Sequence, residues 1–389
     1  MSDFFAPPPA PPSKLGVYRK LSSLLQGSMY RPLQLGAMSI GDKWTSMGMG
    51  GDGQAVELQA SRRLKAYLIE SQDESSESFI GEWAEKRGIR DQLVIATKYT
   101  TNFKARNDAV AQKVNYGDAW TLNVGNNIKS MHISVDASLK KLRTTYIDIL
   151  YVHWWDWDTS IEEVMNGLHN LVVRGKVLYL VCHLVCPTPL AWVVAQANQY
   201  ARDHGKTLFV IYQGRWNVLD RSFEREIIPM ARAHGLALAP WQVVGAGKFR
   251  TDAQEERMRT ASKKGRTIFN PHWERTEDER KISKALEKIA AEVGTKSLTA
   301  VAIAYVMTKI PYCFPIIGGR KVEHLMENLE ALDISLSSEQ MAYLESTVPF
   351  DPGFPTDAIG DGTKANPLMG SAAHFAKQPI LAPIPHTKD

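Results

Sequence analysis

The chain has 389 residues, of which 44% are hydrophobic, a size that suits one large domain of barrel dimensions or two smaller ones. Its formal charge is +4, but acidic and basic residues are interspersed along the whole chain. Because no basic block of the kind that follows a phosphate backbone is present, we expect no nucleic-acid partner.

The N-terminal sequence MSDFFAPPPAPPSKLG does not resemble a targeting signal. It lacks a charged region followed by an apolar core, and its prolines favour an extended arm. No apolar run in the chain reaches the roughly 18 residues that a membrane helix requires. We therefore expect a cytoplasmic protein with no membrane partner.

The three cysteines, Cys182, Cys186 and Cys313, do not form a disulfide pattern. Cys182 and Cys186 lie on either side of His183, at a spacing that raises the question of a metal site. The sequence offers no second ligand pair at a matching spacing. Incidental thiols in a reducing compartment are therefore the favoured interpretation, and no metal is expected.

Short apolar runs alternate with amphipathic stretches through most of the chain. In chain order, the predicted elements are a strand at 93–98, a helix at 126–145, a strand at 147–154, a helix at 160–175, a strand at 176–181, a helix at 189–205, a strand at 208–213, a helix at 223–235, a strand at 236–241, helices at 281–293 and 298–308, a strand at 313–319 and a helix at 321–332. Nearly continuous apolar strands separated by helices are typical of parallel strands buried on both faces.

About seven or eight β/α units fit within some 300 residues, which predicts an α/β fold of the (β/α)8 TIM-barrel type rather than an open sheet. No G-x-G-x-x-G motif follows the first strand, which also disfavours an open dinucleotide-binding sheet. We expect a Pro-rich N-terminal arm (1–30), a barrel (31–348) and a C-terminal extension (349–389) rich in Gly and Pro.

Barrel enzymes carry their chemistry at the carboxyl ends of the strands, where this chain has Lys98, His153, Gln213 and Trp241. Taken singly, a lysine at a strand end is often a solvated rim residue, and a histidine among tryptophans is often a core residue. A lysine and a histidine at the ends of successive buried strands are not expected from packing alone. Together they predict a catalytic site.

The chain resembles the aldo-keto reductases, and among them the fungal aryl-alcohol dehydrogenase and norsolorinic acid reductase group. The similarity runs from LQLGAMSIGDKW (33–44) to MENLEAL (326–332) and includes QLVIATKYTT, YIDILYVHWWD and IIGGRKVEHLMENLEAL. The resemblance implies a barrel that reduces carbonyl compounds with NADP(H) and uses an Asp, a Tyr, a Lys and a His. Lys98 and His153 would then be the lysine and the histidine.

The resemblance also implies a set of cofactor-binding residues. Gln213 corresponds to the residue that hydrogen-bonds the carboxamide, and Trp241 to the aromatic residue that stacks on the nicotinamide. The loop around the pyrophosphate would comprise Gln242, Val243, Val244, Gly245, Ala246, Gly247 and Lys248. The segment that grips the 2′-phosphate and the adenine would contribute Gly318, Arg320, Lys321, His324, Glu327 and Asn328. Its cationic pair favours NADP(H) over NAD(H).

One departure from this group affects the proton donor. The group carries F-I-D-T-A-N-N-Y before Q-D-E-x-S-E, whereas this chain has AYLIES before QDESSE. The simplest alignment places Glu70 at the strand end in place of the aspartate, still able to pair with Lys98, and leaves no counterpart of the tyrosine. Tyr67 would lie roughly 10 Å further down the strand and on the opposite face, so it is a weak substitute acid. Tyr99, adjacent to Lys98, points away for the same reason.

A second departure is VCHLVCPTPLAWVV (181–194), which replaces a short G-V-S-D/N turn that meets the nicotinamide amide in the group. His183 could take over that contact. Two short altered runs with intact flanks indicate either decay of the site or an error in how the gene was spliced or translated.

The resemblance thus implies reduction of an aromatic aldehyde or a polyketide-derived ketone, as in the norsolorinic acid chemistry of fungal mycotoxin biosynthesis. The missing tyrosine supports an alternative, a barrel that binds NADP(H) with weak or no catalysis, and a third hypothesis is a poorly folding product of a damaged gene. The expected partner is a small aromatic carbonyl compound, and the expected state is a monomer or a weak homo-oligomer. Trp44, Trp154 and Trp155 could form an aromatic wall for a planar substrate, although core packing explains these tryptophans equally well.

Overall fold

The structure is a computed structural model that describes residues 11, 14–23, 29–37, 66–68, 74–103, 124–183, 190–261, 272–319 and 322–384. A short antiparallel hairpin of β1 (Arg19–Lys20) and β2 (Met29–Tyr30) comes first. Eight parallel strands follow: β3 (Gln34–Gly36), β4 (Ala66–Leu68), β5 (Val94–Tyr99), β6 (Ile147–Val152), β7 (Val177–His183), β8 (Phe209–Arg215), β9 (Ala237–Trp241) and β10 (Ile316–Ile317).

The eight strands close into a barrel, as predicted. Their order is β10-β3-β4-β5-β6-β7-β8-β9, and each neighbouring pair is parallel. The sheet closes at Leu238 in β9, whose amide donates to the Tyr312 carbonyl at 2.9 Å and whose carbonyl accepts from the Phe314 amide at 2.8 Å. This parallel bridge to the residues before β10 completes the ring, so the α/β fold of the (β/α)8 type is confirmed.

Helices occupy the connections between the strands. In the described residues they are α1 (Ser75–Arg87), α2 (Ile128–Leu142), α3 (Ile161–Val173), α4 (Ala191–Asp203), α5 (Ile227–His234), α6 (Asp252–Thr260), α7 (Glu277–Val293), α8 (Leu298–Lys309), α9 (Val322–Leu329), α10 (Ser338–Thr347), α11 (Thr356–Ile359) and α12 (Pro367–Gly370). Side-chain caps fix several of their starts: Asn127 accepts from the Ser130 amide at 2.9 Å, and Ser160 accepts from the Glu163 amide at 3.1 Å.

Two buried layers result from the alternation of side chains along the strands. One cluster fills the barrel interior and includes Ile149, Tyr151 and Ile211. The other lies between the strands and the surrounding helices and includes Leu150 and Val152 of the same strand β6. All six residues of β6 are buried, as expected for a strand covered on both faces.

The hairpin covers the amino-terminal end of the barrel. Leu21, which follows β1, is fully buried in the interior cluster, and the Tyr30 ring meets the Tyr179 ring edge-on with 6.4 Å between their centroids. Complete burial of a leucine side chain stabilises a fold by about 1.5–3 kcal/mol. The carboxyl ends of the strands therefore form the end of the barrel that remains for a site.

The described residues beyond 349 run along the outside of the barrel. Arg225 donates to the carbonyls of Asp351 and Pro352, and its guanidinium lies 4.8 Å from the Phe350 ring centroid. Further on, Leu381 and Ile384 contribute to a groove beside the hairpin. Within the described ranges, no single helix has the length and apolar composition to cross a membrane, and one bent pair, α7 with α8, meets those two criteria only when taken together.

Candidate active site

Lys98 and His153 lie at the carboxyl ends of the neighbouring strands β5 and β6, as predicted from their positions. Lys98 pairs with Tyr151 across the two strands, and His153 follows β6 directly. Each of the two side chains is only 3% exposed. The Lys98 ammonium lies 5.9 Å from the centroid of the Tyr151 ring. Burying an ammonium and an imidazole at one edge of a sheet costs desolvation free energy, which packing alone does not explain.

The chain makes a strained turn immediately after β5. Thr100 has φ = 101°, in the left-handed region that a β-branched residue rarely enters, and it is fully buried. Its carbonyl accepts from the Gly125 amide at 2.8 Å, and its hydroxyl oxygen accepts from the Asn126 side chain at 3.3 Å and from the His153 amide at 3.4 Å. These contacts tie the turn after β5 to the start of the segment that carries His153.

Asn126 and Asp156 form a polar clip between the two strand ends. The Asn126 amide donates to the Asp156 carboxylate at 2.6 Å, and the Asp156 amide donates to the Asn126 side-chain oxygen at 2.7 Å. Asn126 also donates to the Trp154 carbonyl at 2.9 Å. Partial burial by itself would raise the pKa of Asp156, but hydrogen bonds from the Asn126 amide and from Thr159 outweigh burial and lower it.

The phenols near Lys98 are poorly suited to act as acids. Tyr99 packs in the cluster between strands and helices, and Tyr151 packs in the barrel interior. Burial raises the pKa of both phenols far above the usual 10. The backbone of Tyr67 lies in β4 opposite Ile95, three residues before Lys98 along β5. The Tyr67 side chain lies outside the described residues.

Several other predicted residues also lie outside the described part of the chain. They are Glu70, Arg320, Lys321, Trp44, Cys186 and the side chain of His183. Of the remaining tryptophans proposed as an aromatic wall, Trp155 packs in the cluster between strands and helices. Trp154 is half-buried and its indole N–H donates to the Thr101 hydroxyl oxygen at 3.0 Å.

Trp241 ends β9, whereas Gln213 lies two residues before the end of β8 at Arg215, because this strand is longer than the predicted 208–213. Gln213 is 1% exposed, and its side-chain nitrogen has no hydrogen-bond partner among the described residues. A buried amide without a partner carries a desolvation cost that a ligand carbonyl could offset. The carboxamide of a nicotinamide offers such an acceptor, so this orphaned donor fits the predicted group. Trp241 is half-buried.

A cavity of about 610 Å³ lies beside this rim. Among the predicted cofactor residues, those lining it are Val244, Ala246, Gly247, Lys248, Gly318, His324, Glu327 and Asn328. Val243 instead packs in the core, so only its backbone could contact a ligand. Phe249 and Gly319, which lie within the two predicted cofactor segments, also line it, and the lining residues not predicted from the sequence are Arg250, Gln254, Arg257, Met258, Trp273 and Thr299. The cavity volume lies in the range typical of cofactor sites.

The loop between β9 and α6 brings its backbone to the cavity through left-handed residues. Gly245 (φ = 60°), Ala246 (φ = 53°) and Gly247 (φ = 86°) follow one another. A Cβ atom at Gly245 would come within 2.9 Å of the Phe249 ring, whereas one at Gly247 would meet open space. Successive left-handed residues expose amide groups on one side of a loop, an arrangement that suits a pyrophosphate.

The Lys248 ammonium is bound by the protein itself. It donates to the His272 carbonyl at 2.9 Å and to the Glu274 carbonyl, and it lies 3.7 Å from the Glu279 carboxylate. Burial lowers the pKa of Lys248. Nearby, Arg250 donates to the Trp273 carbonyl at 2.7 Å. Both cations thus attach the segment around 273 to the loop and form one wall of the cavity.

The cysteines contribute no recognisable metal site in the described part of the chain, where no group of three or more His, Cys, Asp or Glu side chains could hold an ion. Cys182 and Cys313 are buried free thiols. Burial raises the pKa of Cys182 to about 12, so its thiol is not reactive near neutral pH.

Comparison with known proteins places this geometry in a family context. The model of the aldo/keto reductase family matches residues 32–349. The chain is 55% identical to an aryl-alcohol dehydrogenase [NADP(+)] of Phanerodontia chrysosporium, over 98% of this chain and 99% of that protein. It is 47% identical to the aldo-keto reductase ausK of Emericella nidulans (96% and 93%) and 48% identical to norsolorinic acid reductase B of Dothistroma septosporum (77% and 73%).

Proposed function

Because the chain belongs to the aldo/keto reductase family, as an NADP-dependent oxidoreductase, we propose that it reduces an aromatic aldehyde or a polyketide-derived ketone with Lys98 and His153 as catalytic residues. The observation that carries this proposal is the burial of both side chains at adjoining strand ends, at the same carboxyl-terminal end of the barrel as the loops after β9 and β10 that line the cofactor-sized cavity. An aryl-alcohol dehydrogenase and a norsolorinic acid reductase among the relatives support an aromatic substrate, as in fungal secondary metabolism.

NADPH supplies the hydride for such a reduction when it is bound. Negative charge then develops on the carbonyl oxygen, and preorganised positive groups in a site that excludes water stabilise it. The buried Lys98 ammonium provides that charge and would stabilise the ionised form that a neighbouring acid group takes on once it has given its proton to the carbonyl oxygen. His153 would hydrogen-bond the oxygen. Glu70 is the proposed partner of Lys98, and Tyr67 is the weaker candidate for the proton donor.

The cofactor assignment of individual residues is part of the proposal. The orphaned Gln213 amide would hold the carboxamide, the half-buried Trp241 would contact the nicotinamide ring, and the loop from Gln242 to Lys248 would surround the pyrophosphate. Arg320 and Lys321 are proposed for the 2′-phosphate. Replacing both by Ala should weaken NADPH binding by at least tenfold and leave NADH binding unchanged. Equal weakening of both cofactors would contradict this assignment.

The test of catalysis is turnover with NADPH and a panel of substituted benzaldehydes, aromatic ketones and aliphatic aldehydes of similar size. Lys98→Met should lower kcat by about 10²–10⁴-fold, because a charge positioned at the reacting oxygen is lost. Lys176→Met is the matched control, since Lys176 forms an exposed ion pair with Asp136 before β7. Turnover that is equal in the Lys98 and Lys176 variants would refute the proposal.

A second candidate function is NADP(H) binding with weak or no catalysis. The β4 register favours it, because the backbone of Tyr67 lies three residues short of Lys98, and burial raises the pKa of the described phenols nearest Lys98, Tyr99 and Tyr151. Calorimetry showing tight NADPH binding, together with no turnover across the panel, would support this function. Robust reduction of any substrate that depends on Lys98 would exclude it.

We further propose that the protein acts in the cytoplasm as a monomer or a weak homo-oligomer. Sedimentation velocity over a range of concentrations tests the second part. A single species with the mass of a dimer at the lowest concentration would contradict it.

A further inference from the structure

The histidine at the end of β6 makes a hydrogen bond that decides which of its nitrogens carries a proton. His153 Nδ1 lies 2.6 Å from the hydroxyl oxygen of Thr101, two residues beyond the end of β5. The same oxygen receives the indole N–H of Trp154 at 3.0 Å. The left-handed backbone at Thr100 brings Thr101 to this position.

The number of protons at this junction favours one arrangement. An indole nitrogen can only donate, so Trp154 occupies one lone pair of the Thr101 oxygen. If His153 Nδ1 also donated, the hydroxyl proton of this half-buried threonine would have no acceptor among the described residues. If Nδ1 accepts, every proton at the junction has an acceptor, and leaving a polar proton unpaired costs free energy.

We propose that Thr101, itself fixed by Trp154, is a positioning residue that holds neutral His153 as the tautomer with its proton on Nε2. An imidazole held in this way offers an N–H donor to a carbonyl oxygen and leaves no proton on Nδ1. The tautomer of a catalytic histidine has large effects on rate, because only one of its two nitrogens faces the substrate. This role rests on the proposed function of His153, but the tautomer itself can be measured without turnover.

A second threonine–histidine pair provides an internal reference. His169 Nδ1 lies 3.0 Å from the Thr207 hydroxyl oxygen, and it also accepts the Thr207 backbone amide at 3.2 Å. Because a backbone N–H can only donate, His169 must be protonated on Nε2 when it is neutral. Thr207 precedes β8 at the opposite end of the barrel from the candidate site. Thr207→Val is therefore the matched control for Thr101→Val.

The first measurement is ¹⁵N NMR of the histidine-labelled protein, with NADPH and without it, at a pH where both rings are neutral. The His153 signals, assigned through their loss in His153→Gln, should show an unprotonated Nδ1 and a protonated Nε2, like those of His169. Thr101→Val should shift the His153 pattern towards a mixture of tautomers, and Thr101→Ser should restore it. A protonated Nδ1 in neutral His153 of the unaltered protein would overturn the proposal.

The second measurement is the pH profile of kcat and KM. Thr101→Val should lower kcat by roughly 10- to 100-fold with a smaller effect on KM, Thr101→Ser should recover most of the rate, and Thr207→Val should leave both constants unchanged. Equal rates in the two valine variants would also overturn the role. If no variant shows turnover, the proposed catalysis fails, while the NMR result still decides the tautomer. If Thr101→Val does not fold, the unaltered protein and Thr101→Ser carry the test.

Discussion

Replacing Glu77 by Gln should destabilise the barrel next to the candidate site. Glu77 in α1 is fully buried and accepts a hydrogen bond from the Thr97 hydroxyl at 2.5 Å. Its other oxygen lies 2.6 Å from the Lys141 ammonium, which also has Glu74 at 3.7 Å. Since Thr97 immediately precedes Lys98 on β5, this contact anchors the strand that carries the candidate catalytic lysine.

The expected loss follows from these partners. Removing one member of a buried ion pair typically costs 3–5 kcal/mol, because the other charge is left without compensation. A glutamine still accepts from Thr97, and Glu74 remains near Lys141, so we expect the free energy of unfolding to fall by about 2–3 kcal/mol, just below that range. Truncation to Ala would remove both contacts and should cost more.

The assay is urea unfolding of the cofactor-free protein, followed by circular dichroism and fluorescence. Glu85→Gln is the control on the same helix, because Glu85 pairs with Arg143 at the surface, where more than 40% of each side chain is exposed. An exposed pair of this kind contributes little, so the control should change the free energy of unfolding by less than about 0.5 kcal/mol. Equal unfolding midpoints for the two variants would refute the reasoning.

Three further predictions concern the rim. Gly245→Ala should weaken NADPH binding and lower the thermal midpoint more than Gly247→Ala. Both substitutions place Ala in a left-handed conformation, but only the Gly245 substitution also adds a clash with the Phe249 ring, and equal effects in calorimetry would contradict this prediction. Gln213→Met should weaken NADPH binding by about tenfold while raising the stability of the cofactor-free protein by up to about 1 kcal/mol, and a loss of both would count against an orphaned amide. The lowered pKa of Asp156 contributes stability that is complete above its ordinary pKa of 3.8 and is lost as the pH falls through the lowered value. In urea unfolding, the stability difference between Asp156→Asn and the unaltered protein should therefore shrink below about pH 4. A difference that does not change with pH would contradict this prediction.

Strong apolar periodicity and helix-capping residues made the central β/α units predictable. The helix predicted at 160–175 is Ile161–Val173, with Ser160 as its cap, and the strand predicted at 93–98 is Val94–Tyr99. Helix α6 was not predicted and lies in the polar stretch 250–280. Glu255 is its only buried residue, so its sequence carries no apolar period, and its start depends on the Thr251 capping box.

The candidate site likewise contains residues that could be predicted from the sequence and residues that could not. Lys98 and His153 could be predicted because each follows an apolar strand directly, and a barrel brings such positions to one rim. Thr101 could not, because its contact with His153 depends on the left-handed backbone at Thr100 and on contacts 25 residues or more away in the sequence. The cationic wall around Arg250 also depends on a long-range contact, with the Trp273 carbonyl.

Closure of the barrel has a consequence for how the chain is made. Strand β3 at residues 34–36 finds its second neighbour only in β10 at residues 316–317, and β9 is joined through Tyr312 and Phe314. At typical rates of synthesis, roughly 15–60 s pass between translation of β3 and translation of β10. During this time β3 has an unpaired backbone edge, and β9 has one from its own synthesis until that of β10; such edges recruit other strands. We therefore expect nascent chains truncated before residue 310 to aggregate or to be retained by chaperones, whereas chains that include β10 do so much less.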